Sequence, residues 1–287
     1  MDTWDCNFAE RSPMLAPLRA VALALKGDTW PSLSRLNALA QRYGVVSGGG
    51  QPLRFMSAAE QALPKASDYE QRIHDEGVVT LRECNWHDFF NALAWLTFPL
   101  IKKALNRGHV EELNLQTAAE RFSRTATARN RRRDALTLFD ESGVLVFSSS
   151  TAVLDGIRAF AWRQVFWEER EQFQAATQCL IVGHALYEKA LSSYLGMTGH
   201  ALLMVGRADS RSNAGLDRRQ DERAANALRD HIRQPHDLSP LPVLGVPGWW
   251  DANREVAFYE NTAYFRAGRS RKPSTPQGNQ PGRISAD

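Results

Sequence analysis

Cysteine is scarce in this chain. Cys6, Cys84 and Cys179 are three in 287 residues, far apart and odd in number, which excludes a complete set of internal disulfides. Reduced thiols in a cytoplasmic protein are the simplest expectation. Long hydrophobic runs are missing too. The most apolar stretch, Phe89 to Ile101, is interrupted by Asn91, Thr97 and Pro99. It falls short of the ~20 residues a membrane-spanning helix needs and reads as core. The N-terminal MDTWDCNFAERS has neither the basic nor the apolar region of a secretory signal. Charge of one sign is also lacking: 35 Lys and Arg face 32 Asp and Glu, a net +3. Residues from Arg266 onward carry about +4 of that, leaving the body near −1 and without an overall basic field for nucleic acid. Ser47-Gly48-Gly49-Gly50 lacks the Lys-Ser/Thr of a P-loop, and CxxC, GxGxxG, HExxH, EF-hand and nucleophile-elbow patterns are absent. No internal repeat is present.

What is there is apolar and aromatic. Hydrophobic residues make up 43% of the chain, with eight Trp and 13 Phe, enough to bury a sizeable core. The stretch NWHDFFNALAWLTFPLIKKALNRGH, residues 85–109, organises the rest. On a helix, Trp86, Phe89, Phe90, Leu93 and Leu96 share one face, and His87, Asp88, Asn91 and Trp95 share another. Pro99 breaks this helix, and Thr97 can cap a second one that closes at Gly108, with His109 just beyond. Upstream, Trp30 to Gly44 reads as a helix capped by Ser32 or Ser34.

Downstream, Ala135 to Phe139 and Val144 to Ser148 flank the polar turn Asp140-Glu141-Ser142-Gly143 and read as a β-hairpin. A helix follows from Ser150 or Thr151, another spans about Glu169 to Leu195, and His200 to Val205 suits a strand. Leu238 to Phe265 is rich in Pro, Gly and Trp, and too aromatic to stay in water, so an ordered coil against the core is expected. The expected fold is therefore α+β: a predominantly helical single domain over 1–266, a small antiparallel sheet or hairpin, a long aromatic C-terminal coil, and a disordered basic tail at 267–287.

Four strings carry a family likeness: NWHDFFNALAWLTFPLIKKALNRGH, RRRDALTLFDESGVLV, VGHALYEKAL and PLPVLGVPGWWDANREVAFYENTAYFR. Together they are similar to the signature blocks of a bacterial family catalogued as domain-of-unknown-function family 3025. The blocks spread over roughly residues 80–266. The resemblance implies a compact soluble bacterial protein and supplies no activity, ligand or catalytic residue.

Chemistry has to be sought in the polar groups on apolar faces. His184 falls in the stripe Leu180, Tyr187, Leu191, and Glu188 lies four residues on, a spacing at which imidazole and carboxylate can hydrogen-bond or share an ion. His87, Asp88 and Asn91 form a second polar set. Asp134 enters the expected hairpin and could point into a cleft, whereas Asp140 and Glu141 read as ordinary turn residues in preference to catalytic carboxylates. Arg133 belongs to six arginines between Arg121 and Arg133 that could grip an anion or meet an acidic partner. A solvated charged segment is their commonest explanation.

Two classes of function stand side by side. In the first, His87, Asp88, Asn91, Asp134, His184 and Glu188 are catalytic candidates, and Arg133, Trp95, Trp249, Trp250 and Asn253 bind an anionic or polar small substrate. There His87, His184 and Glu188 would hold a divalent ion, Zn, Mn or Fe, for assisted hydrolysis. In the second, the chain is a non-catalytic binding protein whose polar groups are structural. The two separate if His87, His184 and Glu188 do or do not share one pocket.

Overall fold

The computed structural model describes residues 2–59, 66–122, 131–206 and 216–268. The tail beyond 268, residues 209–215, and Arg124 and Arg129 of the arginine group lie outside the described residues. The fold is α+β. Its helices are α1 (Arg19–Ala24), α2 (Leu33–Arg42), α3 (Ala66–Glu76), α4 (Trp86–Thr97), α5 (Pro99–Phe122), α6 (Arg131–Ser142), α7 (Thr151–Arg158), α8 (Arg170–Ala176), α9 (His184–Ala190) and α10 (Arg218–His231). Strands β1 (Arg54–Ser57) and β2 (Val78–Leu81) form a parallel pair. Strands β3 (Gly143–Ser148), β4 (Thr177–Ile181), β5 (Thr198–Val205) and β6 (Ser239–Pro242) form a mixed sheet in the order β4-β3-β5-β6. No helix among the described residues is long and apolar enough to cross a membrane.

The expected hairpin is wrong in its first arm. Ala135, Leu136 and Phe139 are buried on one face of α6, a helical spacing that so short an apolar run does not separate from a strand by its length. Gly143 ends that helix where a Cβ would press on the Phe139 carbonyl. The strand β3 then pairs antiparallel with β4 and parallel with β5, and Val144 to Phe147 are wholly buried. A central strand covered on both faces shows no alternation, which is why it reads as a bare apolar run. Asp140 and Glu141 consequently sit in the last turns of a helix, and Asp134 lies in its first turn, not at a strand entry.

A second correction concerns Glu169 to Leu195. The segment is not one helix: α8 gives way to β4 at Thr177, and α9 restarts at His184 after Gly183. Gly183 packs on the backbone of Ser142 and Gly143, so close that a Cβ there would lie 2.4 Å from each of their nitrogens. That contact brings the start of α9 onto the end of α6.

The helix break at Phe98–Pro99 occurs as expected. The second helix, however, runs through Gly108 and His109 instead of ending there. Nor does Thr97 cap it: its hydroxyl has no partner, and the α5 N-terminus is capped across the fold by Asp221 of α10, which accepts from the Leu100 and Ile101 N–H groups at 2.9 and 3.1 Å. Ser32 caps α2 through the Arg35 N–H.

The aromatic coil is ordered. Asn253, fully buried, donates to the Leu244 and Val246 carbonyls at 2.8 and 2.7 Å. The Tyr259 hydroxyl donates to the Gly245 carbonyl, and the Tyr264 hydroxyl donates to the Met197 carbonyl. Side chains thus satisfy a backbone that forms little regular ladder.

Candidate functional site

Three helices converge on one polar cluster: α4 supplies His87, α6 supplies Asp140 and Glu141, and α9 supplies His184 and Glu188. The two imidazoles meet edge to face, with Nε2 atoms 3.2 Å apart. His87 Nδ1 lies 2.9 Å from Glu188 Oε2. His184 Nδ1 lies 2.8 Å from the Asp140 carbonyl oxygen. His184 is buried, whereas the side chains of His87, Glu141 and Glu188 keep 32%, 43% and 43% of their exposure, so the cluster opens to solvent on one side.

The hydrogen bonds dictate the protons. A carbonyl oxygen and a carboxylate both accept, so each Nδ1 is a donor and carries the hydrogen. In the neutral rings the two Nε2 lone pairs then face each other at 3.2 Å. Such an arrangement is repulsive unless a proton or a cation lies between them. Burial pushes the His184 imidazole down to about 4, helped by Lys102 and His87 against the opposing pull of Asp140, which keeps this ring neutral at pH 7.

The donor set suits a metal ion. His87, His184 and Glu141 each offer a ligand atom, and these atoms lie within 4.8 Å of one another. Two nitrogens 3.2 Å apart, each at a bond length of about 2.0–2.1 Å, subtend an angle of about 100° at an ion, between the octahedral and tetrahedral values. Glu141 Oε1 is 3.8 Å from His184 Nε2, and its half-exposed side chain can rotate inward. Burial raises the Glu141 carboxyl, with Asp140 adding to the rise against the pull of His87, so an added cation would be favoured there. Both histidines already have the outer hydrogen bonds that orient metal-bound imidazoles.

Behind His184 lies a buried polar chamber. Lys102, 4% exposed, places Nζ 2.5 Å from Asp140 Oδ1 and 2.9 Å from Asn91 Oδ1, above the Trp95 ring. Asn91 donates to the Tyr69 hydroxyl at 3.1 Å. Burial alone would push Asp140 up, but Lys102 and His184 outweigh it and hold the carboxyl below its ordinary value. Burial raises the Tyr69 hydroxyl well above its ordinary value, reinforced by Glu70 and Asp140. His109 lines the same chamber with its Nδ1 unpartnered, its pKa lowered chiefly by burial.

Of the residues singled out in the sequence, the structure brings together His87, His184 and Glu188, with Asn91 and Trp95 one layer behind. It pairs them differently from the i, i+4 expectation: Glu188 bonds His87, not His184. Asp88 faces away and binds the Arg82 guanidinium and backbone. Asp134 lines a separate groove with Arg131 and His236. Trp249, Trp250 and Asn253 belong to the C-terminal coil, where Asn253 is committed to backbone carbonyls. Arg133 lies on α6, close enough to His109 to lower its pKa. Lys102 carries no signal in the sequence beyond a charge on an apolar helix, and Asp140 and Glu141 are set aside there as turn residues. Reading Asp140-Glu141 as a turn concealed them, and only a helical α6 places both carboxylates beside α9.

A family model described as "Protein of unknown function (DUF3025)" matches residues 53–269. The chain belongs to this family. All four signature strings fall inside the matched span, and so do the DUF3025 residues that build the histidine cluster. Residues 1–52 precede the match. No curated protein and no solved structure matches the chain.

Proposed function

We propose that the chain is a metal-assisted hydrolase acting on a polar small substrate, with a divalent ion, Zn, Mn or Fe, held by His87, His184 and Glu141. One observation carries this reading: two imidazoles aim their Nε2 lone pairs at each other, each with its Nδ1 already bonded. Three protein ligands on a solvent-open cluster match catalytic rather than structural metal sites, which keep a position free for water or substrate. Such an ion lowers the pKa of bound water toward neutrality and polarises a carbonyl or phosphoryl oxygen. Glu188 serves as the outer partner that orients His87, a change from the ligand role its spacing suggested.

Metal analysis of protein purified without chelator tests the proposal. Near-stoichiometric Zn, Mn or Fe is expected, lost in His184→Ala and Glu141→Ala, and weakened about 10–100-fold in Glu188→Ala. Retention by Glu141→Ala with loss in Glu188→Ala would exchange the roles of the two carboxylates. Absence of metal from the purified protein, with no binding of added Zn, Mn or Fe, would overturn the reading.

The 3.2 Å separation also fits a shared proton, with His87 as a cation between Glu188 and His184. That second reading makes the pair an acid/base or structural element and predicts a protein that binds no metal yet keeps the contact between the two imidazoles. A partner for the arginine group gains less support: Arg132 is already paired with Glu111 and Glu112.

A further inference from the structure

His87 is the second residue of α4, in the turn of a helix that frays most readily. Its Nε2 must nevertheless be held opposite His184 across the α4–α9 contact. Glu188 holds the ring at Nδ1, and the backbone beside it is bonded by the N-terminal segment. Asp2 Oδ2 accepts from the Trp86 N–H at 2.9 Å, and the Asp2 N–H donates to the Cys84 carbonyl at 2.9 Å. Its own carbonyl accepts from the Trp30 indole. Two residues on, Trp4 stacks on Trp86 with ring centroids 5.4 Å apart.

The turn so gripped is strained. Cys84 has φ +50°, the left-handed region that non-glycine residues avoid, one residue before the Asn85 cap of α4. Backbone of this kind persists only where its surroundings over-determine it, and such positions cluster at functional sites. Here Asp2 bonds the residue itself and the first helical N–H. Asn85 takes the next orphan donor, the Asp88 N–H, and Asp88 reaches back to the Arg82 N–H.

We infer that Asp2 is a positioning residue for His87: it clamps the strained turn at Cys84 and fixes the imidazole opposite His184. Asp2 lies before residue 53, where the family match begins. The metal readout rests on the function proposed above, and a second readout is independent of it.

The experiment uses the full 287-residue chain, with no tag fused ahead of it, and Zn as the probe. Asp2→Ala should weaken Zn binding about tenfold, the lower end for loss of an outer-shell partner. Asp2→Asn, which keeps an oxygen for the Trp86 N–H, should stay within about twofold. Ser32→Ala removes the α2 cap and serves as a stability control, lowering the unfolding midpoint without changing Zn affinity. Should Asp2→Ala not fold, Asp2→Ser replaces it, with Zn affinity again expected to fall and a wild-type affinity again overturning the inference.

Wild-type Zn affinity in Asp2→Ala would overturn the inference and leave Asp2 a helix cap only. If the wild-type protein binds no metal, NMR of the His87 ring is the readout. A slowly exchanging Nδ1–H that is lost in Asp2→Ala and kept in Asp2→Asn supports the clamp, and one unchanged in Asp2→Ala refutes it.

Discussion

Replacing Lys102 by Met would show how much of this core is held by charge. The methionine fits the same volume without the ammonium, and it leaves Asp140 buried without the partner that sits 2.5 Å from Oδ1. It also removes the donor to Asn91 Oδ1. Breaking a buried pair by removing one member costs about 3–5 kcal/mol, because the remaining charge is uncompensated. Removing both charges, in Lys102→Met/Asp140→Asn, should recover most of that loss, since the His184 bond is to the Asp140 backbone carbonyl and survives.

The deficit has a definite pH dependence. In the wild type the depressed Asp140 carboxyl contributes stability that is present above the unfolded value of 3.8 and lost as pH falls through its lower folded pKa. Without Lys102, burial dominates and the folded pKa rises above 3.8. The variant's folded state then takes up a proton first, so its deficit should shrink as pH falls from 7 toward 4. Urea unfolding followed by tryptophan fluorescence, at several pH values, measures both effects. A single-variant cost under about 1 kcal/mol, or a double variant no better than the single, would refute the view that this pair is an interdependent buried unit.

Other expectations follow from the same accounting. Asp221 has its carboxyl raised to about 6 by burial against the bonds from Leu100 and Ile101, so stability from this group should increase as pH falls from about 6.5 to 4. Asp221→Asn should remove that increase, as pH-dependent urea midpoints would reveal. Asn253→Ala leaves the Leu244 and Val246 carbonyls buried without their donor and should cost about 2–4 kcal/mol, measured by thermal or urea unfolding. Limited proteolysis should spare residues 247–259 in the native protein, and rapid cutting there while the helices survive would contradict the packing of Trp249, Trp250 and Tyr259 on the core.

Some of the protein was decided locally and could be read from residue order. The 3.6-residue spacing of Trp86, Phe89, Phe90 and Leu93, the Ser32 cap and the Pro99 break each act within a turn or two, so α2, α4 and the start of α5 follow from neighbours in sequence. The aromatic coil was legible for a cruder reason, the cost of leaving its rings in water. Ala135 to Phe139 was misread because a short apolar run satisfies helix and strand alike, and the helix wins only where its buried face meets neighbouring elements. The candidate site is tertiary almost throughout. Local spacing offered Glu188 to His184, but packing of α4 on α9 delivered it to His87, 101 residues away. Glu141 reaches the histidines because Gly183 lets the start of α9 rest on the end of α6. The sequence determined which residues could do chemistry, because titratable groups on apolar faces are costly. Which of them touch was decided by helix packing, because no i, i+4 rule extends across three separate elements.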